Sequence, residues 1–478
     1  MNHLQRHRIL SGIAALLSVA AGTASSADWP MWRHDALRSG STSTELPDRL
    51  HVQWTRQLPA PAPAWPNEAR LHFDASYEPV VLGSRMYVGS MNNGSVTAFD
   101  CESGEELWRF YTNGPVRLAP VASGRHVYFG SDDGWLYCVD AETGKLSWKV
   151  PGAPENRKPH RHLGNARLIS FWPVRGGPVI ADGIVYFGAG IWPTLGVFVR
   201  AVDAQTGQEI WTNDSSHAIA NVRVDHNYQQ ESGLSPQGHM LVRKDMLIVP
   251  NGRSMPARLD RKTGRLHYFV QGYRNGDSRV IVSGDIALVG LTGVVNLKDG
   301  REIANRWVAA GKEAPQGWSS AKVDLFEAPL FPYRFQPGCD YRSVIDNGTA
   351  YGVEDGTVRA FDLTTAETSL GNQTFNGKEI RPGRWDAPEL WNLKTPFSGK
   401  QLQTQSLIKA GNRLYAHSGR NLFAVELSSE PGKPGAVAWT TELPAIPTGL
   451  LAAGGRLFVV TADGMIHCLG KHQGKPRK

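Results

Sequence analysis

Two Asp-x-Arg triplets, Asp277-Ser278-Arg279 and Asp340-Tyr341-Arg342, stand at the same point of a recurring sequence pattern. Two further arginines, Arg117 and Arg175, stand at that point in other copies. When Pro79, Pro120 and Pro178 are aligned, Ser76, Arg117, Arg175, Asp277, Asp340 and Thr404 lie three residues earlier. Glu78, Arg279, Arg342 and Ser406 lie one residue earlier. Strand side chains alternate with period two, so both sets share a side. Guanidinium groups grip carboxylates and phosphates bidentately, and neighbouring carboxylates orient hydroxyls or amines. The chemistry suited to this set is recognition of an anionic or polyhydroxylated ligand. The competing reading is a ring of mutually paired ions around water. Trp172, in SFWPVRGG, offers either a stacking surface or a loop anchor. His160, His162 and His226 lie in loops without a spacing that specifies metal, so no metal ligand is assigned. A Ser/His/Asp triad has no nucleophile-elbow motif behind it.

The elements that must position these residues are repeats. VYFGSDDGWLYCVDAETGKLSW, from Val127 to Trp148, reads as three strands joined by tight turns, the first on Asp133-Gly134. The spacing Asp100–Gly104–Trp108 recurs as Asp140–Gly144–Trp148 and Asp203–Gly207–Trp211, and as Asp260–Gly264–Tyr268 with Tyr for Trp. A repeat of about 40 residues with four short strands is the signature of a β-propeller. Eight copies can be aligned. The fifth is degenerate, with Asn296 and Ala304 replacing Asp and Trp, and the sixth takes its last strand from ELWNLK after an insertion. The eighth stops one strand short, and Val52–Thr55 matches the missing Trp strand. The expected fold is all-β: an eight-bladed β-propeller of four-stranded antiparallel blades, closed by an N-terminal strand, which removes an open sheet edge. The recurrent Asp, Gly and Trp are read as turn and inter-blade residues.

Arg6 and Arg8, the apolar Ile9–Ala21 and the small residues Ser25-Ser26-Ala27 read as a signal peptide cleaved near Ala27. The expected layout is a signal peptide at 1–27, an N-terminal extension at 28–50, the propeller at 51–470 and a basic tail at 471–478. The chain is expected to be periplasmic or secreted and monomeric, and no transmembrane segment is expected. The formal charge of +7, reduced to +5 without Arg6 and Arg8, has no basic stripe, so nucleic acid is not an expected partner. Cys138 and Cys468 occupy equivalent interior strand positions, and Cys101 and Cys339 sit near turns. No pairing is assigned, and neither C-x-x-C nor C-x-x-C-H occurs.

The copies resemble the PQQ-like repeat of the quinoprotein alcohol dehydrogenase superfamily, from about Trp54 to Gly470. The opening DWPMWRHDALRSGST is similar to exported bacterial propellers of the BamB-like kind. The resemblance implies the propeller fold, with PQQ and calcium as cofactors if the chain follows the dehydrogenases. It departs from them in having no Cys-Cys pair, and their calcium ligands and catalytic Asp do not fall on matching positions. It departs from the assembly factors in lacking the lipoprotein Cys.

In a four-stranded blade, the second-to-third turns and the blade-to-blade connections share one face. Most long segments belong there: Leu58–Ala75, Pro151–Val174, Thr212–Leu234, Arg306–Cys339 and Ile191–Val197. Long loops on a rigid scaffold commonly carry binding. The preferred reading is a binding module for a protein, glycan or other ligand at this channel mouth. The alternative is a PQQ-dependent oxidoreductase. A weaker one is an enzyme acting on acidic polysaccharide, with Arg117 and Arg175 neutralising uronates.

Overall fold

The structure is a computed structural model describing residues 28–164, 166–225, 228–271, 276–291, 293–300, 307–309, 339–370, 373–375, 378–400 and 406–472. The signal segment, His226, Ala304, Thr404, most of Arg306–Cys339 and the end of the basic tail lie outside the described residues.

Strand burial follows position within a blade. In the second blade, His126–Gly130 and Trp135–Asp140 are buried almost throughout, because both faces of these strands meet neighbouring blades. The outer strand Leu146–Pro151 alternates between exposed and half-buried residues. Antiparallel sheets built this way run from Val80–Leu82 to Glu106–Tyr111 in blade 1 and from Val121–Ser123 to Leu146–Pro151 in blade 2. Blade 3 runs from Gly176–Ala181 to Glu209–Asn213, and blade 4 from Leu241–Arg243 to Leu266–Tyr268. Blade 5 has three described strands, Val280–Ser283, Ile286–Val289 and Gly293–Asn296. Blade 6 takes Glu389–Lys394 as its outer strand, as the sequence predicted. The insertion before it pairs through Lys378–Asp386 with Trp307–Ala309. Blade 7 ends in Ala436–Glu442. In the last blade, His51–Gln57 pairs antiparallel with Met465–Gly470.

The Asp–Gly–Trp spacing has a mechanical reason. Asp100, Asp140, Asp203 and Asp260 each accept turn amides and a Ser or Thr hydroxyl, which fixes the turn. The glycine that follows adopts φ near +70°, and the preceding blade's indole lies flat against it. A Cβ at Gly144 would stand 2.6 Å from the Trp108 ring, and one at Gly207 2.8 Å from Trp148. The same indoles donate to Ala141 O (3.2 Å) and Ala204 O (3.3 Å) in the next blade. Trp54 repeats the contact onto Gly104 and Cys101 O (3.1 Å), so the N-terminal strand joins blade 8 to blade 1 through the same rivet.

The segment that precedes that strand is more than an extension. Residues 29–42 run around the inside of the ring, bonding the innermost strands in turn. Trp29 exchanges two backbone bonds with Val81 of blade 1, and Pro30 O accepts from Ala122 of blade 2. Ala36 and Leu37 accept from Val242 and Val282 of blades 4 and 5, and Ser39 accepts from Ile345 of blade 6. Gly40 and Thr42 accept from Lys409 and Gly411, where Ser41–Thr42 adds a parallel strand to blade 7. Arg38, fully buried, spans to Pro178 O and Met240 O. Arg33, His34 and Arg38 all take positive φ, a costly conformation for non-glycine residues that the surrounding bonds hold in place. This leader occupies the channel at the ends of the innermost strands, away from the long loops.

Candidate functional site

Plugging one end leaves a blind cavity of about 440 Å³ at the loop-walled end. Trp29, Trp32 and Arg33 of the leader form its floor. Its walls are the starts of innermost strands, among them Glu78, Arg279, Arg342, Ser406 and Thr448, and His72 comes from the long loop before blade 1. Ile408, Leu450, Leu451 and Val460 give blades 7 and 8 an apolar side.

Three of the sequence-derived candidates therefore line one cavity: Glu78, Arg279 and Arg342. Asp277 and Asp340 stand directly behind the arginines. Arg279 Nε and Nη2 donate to Asp277 at 2.8 and 2.9 Å, and its Nη1 donates to the Tyr341 hydroxyl at 2.8 Å. Arg342 Nε donates to Asp340 at 2.9 Å, and the backbone amide of Arg342 caps the same oxygen. Burial alone would lower the pKa of each arginine. For Arg279, Tyr341 and Asp277 reverse that effect, and for Arg342 Asp340 does, so both stay charged.

Arg117, Arg175 and Trp172 lie elsewhere. Arg117 bridges Asp132 (2.6 Å) and Asp74 (2.7 Å), and Arg175 forks onto both oxygens of Asp132 at 2.8 Å. The side chains of Arg117, Arg175 and Asp132 are at most 3% exposed. Here the mutually paired ions foreseen as the alternative are what the structure holds. Burial pushes the Asp132 pKa up, but Arg175 and Arg117 outweigh it and hold the carboxyl below its ordinary range. Trp172 is buried, with its indole N–H on Leu195 O at 2.9 Å, so it anchors a loop and offers no stacking face.

Sequence reasoning missed Arg33, Trp32 and His239. Arg33 donates to three backbone carbonyls, Arg38 O (3.0 Å), Arg342 O (3.4 Å) and Ser343 O. Its guanidinium rests on Gly40, where a Cβ would lie 2.7 Å from Nη2. Burial lowers its pKa to about 10. His239 stacks on Trp32 at 4.4 Å and lies 3.1 Å from Glu78 Oε2. That same His239 Nε2 accepts the Ala119 amide at 3.1 Å, so the neutral ring has no proton on this nitrogen to donate to Glu78. Burial also lowers the His239 pKa. Glu78 Oε2 is consequently buried without a hydrogen-bond donor. The leader has no repeat period, so no pattern in the sequence pointed to Arg33.

The four cysteines are buried and unpaired. Among the described residues, no three His, Cys, Asp or Glu side chains converge as a metal site. No helix of the described residues is long and apolar enough to cross a membrane.

Comparison with known proteins follows the fold. A family model described as outer membrane protein assembly factor BamB matches residues 51–213 and 92–275. The quinone alcohol dehydrogenase subunit of Gluconacetobacter polyoxogenes is 35% identical over 173 residues, covering 32% of this chain and 22% of that relative. BamB of Burkholderia pseudomallei is 25% identical over 224 residues, covering 47% of this chain and 48% of the relative. The match thus spans about a fifth of the dehydrogenase and about half of the assembly factor. Among solved structures, a quinohemoprotein alcohol dehydrogenase from Pseudomonas putida superposes with TM-score 0.57 at 13% identity, covering 95% of this chain and 82% of that one. The enzyme from Comamonas testosteroni gives 0.55 at 17%, covering 94% and 81%. These likenesses concern the fold.

Proposed function

Because this chain is a β-propeller of the PQQ-like repeat family, we propose that it is an exported binding module. It takes a small polar ligand in the blind cavity and a protein or glycan partner on the surrounding loop wall. The observation that carries the reading is the cavity itself, closed below by the leader and lined by arginines already fixed by their own neighbours. Such a wall is preorganised, so binding costs little reordering. Export is supported by the basic and apolar character of residues 6–21. It is supported too by Asp28, at the expected cleavage point, whose Oδ1 accepts the Gly83 amide at 2.7 Å. Edman or mass-spectrometric analysis of the exported protein should find Asp28 first, and a retained N-terminus would remove that part of the reading.

The oxidoreductase reading draws on the similarity to quinone alcohol dehydrogenases. Arg33, Arg279 and Arg342 suit a polycarboxylate. The residues present do not, however, fit a quinone–calcium pair. Glu78 is the only carboxylate lining the cavity among the described residues, and Asp277 and Asp340 are engaged by arginines. The polysaccharide reading loses its residues, since Arg117 and Arg175 face Asp132. Titration of the mature protein with PQQ, with and without calcium, by calorimetry and absorbance separates these readings. No saturable binding is expected. Calcium-dependent micromolar binding lost in an Arg279→Ala/Arg342→Ala variant, with turnover of an artificial electron acceptor, would overturn the binding-module reading.

A further inference from the structure

The charges around the cavity balance. Arg33, Arg279 and Arg342 stand against Glu78, Asp277 and Asp340, and four of these six neutralise one another in the two Asp-x-Arg units. The remaining two are Arg33 and Glu78. Among the described residues no carboxylate lies within ion-pair distance of Arg33, whose three bonds all go to carbonyls. Asp35, Asp340 and Glu78 act on it only through space. Glu78 Oε2 has no hydrogen-bond donor, and the His239 ring 3.1 Å away, neutral while it accepts the Ala119 amide, gives it no positive charge. A guanidinium held only by carbonyls and a carboxylate oxygen turned away from water beside a neutral ring are each costly, and a ligand that supplies the opposite charge to both recovers that cost. A purely anionic ligand satisfies Arg33 and is repelled by Glu78.

We propose that the cavity binds a zwitterion of the α-amino acid class, with its carboxylate on Arg33 and its ammonium on Glu78. Its side chain, large and apolar, lies against Ile408, Leu450, Leu451 and Val460, which make the uncharged wall. The inference rests on the cavity being a ligand site and specifies what that site selects. Trp32 and His239 act as positioning residues: the stacked pair fixes the face of His239 that keeps protein donors away from Glu78.

The test is calorimetric titration of the mature protein with four probes: L-phenylalanine, 3-phenylpropionate, 2-phenylethylamine and glucuronate. Phenylalanine should bind saturably, and loss of either charge should weaken binding roughly tenfold or more, the scale of a hydrogen bond to a charged group. Glu78→Gln should abolish the preference for phenylalanine over phenylpropionate, by weakening phenylalanine and relieving the repulsion of phenylpropionate, while the unfolding midpoint stays unchanged. Phenylpropionate or glucuronate binding as tightly as phenylalanine would overturn the inference and leave the cavity as a plain anion site. A Glu78→Gln variant that keeps the tenfold preference would overturn it as well. If none of the four binds, the inference fails. The cavity reading itself falls only if a screen of other small polar ligands is also blank.

Discussion

Two clusters of the same residue types sit near the same mouth and do different work. Around Asp132, Arg117, Arg175 and Asp74 are buried and meet one another in short, forked bonds. Around the cavity, among the described residues, Arg33 has no carboxylate within ion-pair distance and Glu78 meets only the His239 ring. Glu78 stands at the start of an innermost strand as Arg117 and Arg175 do, whereas Arg33 comes from the leader. The difference is where the facing carboxylate comes from. Asp132 lies in the tight turn of the Ser131-Asp132-Asp133-Gly134 stretch and reaches inward between blades 2 and 3, whereas nothing comparable reaches Arg33. Saturation by neighbours makes a cluster structural, and its lack makes a cluster receptive.

The sharpest way to break this contrast is Asp132→Asn. It leaves Arg117 and Arg175 buried beside a neutral amide and should cost about 3–5 kcal/mol in denaturant unfolding, the scale for removing one partner of a buried ion pair. Acid should act on the same spot. The folded Asp132 pKa is held below its unfolded value, so its contribution is fully present above the ordinary carboxylate pKa of about 3.9. It is lost as pH falls through the depressed folded value. Urea unfolding from pH 7 to pH 2 should show a steep acid limb that flattens in Asp132→Asn. A smaller effect is expected from Gly144→Ala, which combines a positive φ with a Cβ 2.6 Å from Trp108. A loss of about 1–3 kcal/mol, read by thermal melting, would place the inter-blade rivet between the two clusters in importance. The smallest effect belongs to the cavity: Glu78→Gln should change stability by less than about 0.5 kcal/mol, because no donor is lost. A loss comparable to that of Asp132→Asn would erase the distinction between the clusters.

Much of the ring could be read from the chain because its parts repeat. The Asp–Gly–Trp spacing located the turns, and Trp54 identified the strand that pairs with Met465–Gly470. Alignment of the innermost strands brought Glu78, Arg279 and Arg342 to one cavity. The same alignment set Arg117 and Arg175 across the mouth from that cluster, and there the structure holds the paired ions of the competing reading. The alignment describes the innermost strands alone, while Asp132 comes from a turn within blade 2, Asp74 from the loop before blade 1, and Arg175 from blade 3. Of the two readings of Trp172, the structure holds the loop anchor, because its indole donates to Leu195 O, a contact that no spacing in the sequence specifies. The leader was illegible because its order comes from contacts with seven blades and from its own turns, not from any periodicity. Its Arg33, which supplies the cavity with its carbonyl-held cation, was hidden with it.

The leader also decides traffic. A ring with an open axis would let a solute pass from one side to the other. With residues 29–42 lining the inside of the ring and Trp29, Trp32 and Arg33 bordering the cavity, the cavity opens toward the loop wall. If the proposed binding holds, residence time in the cavity would be governed by the loops at its mouth, among them the Leu58–Ala75 segment that contributes His72. A partner seated on the loop wall would hold the cavity's occupant in place without touching it.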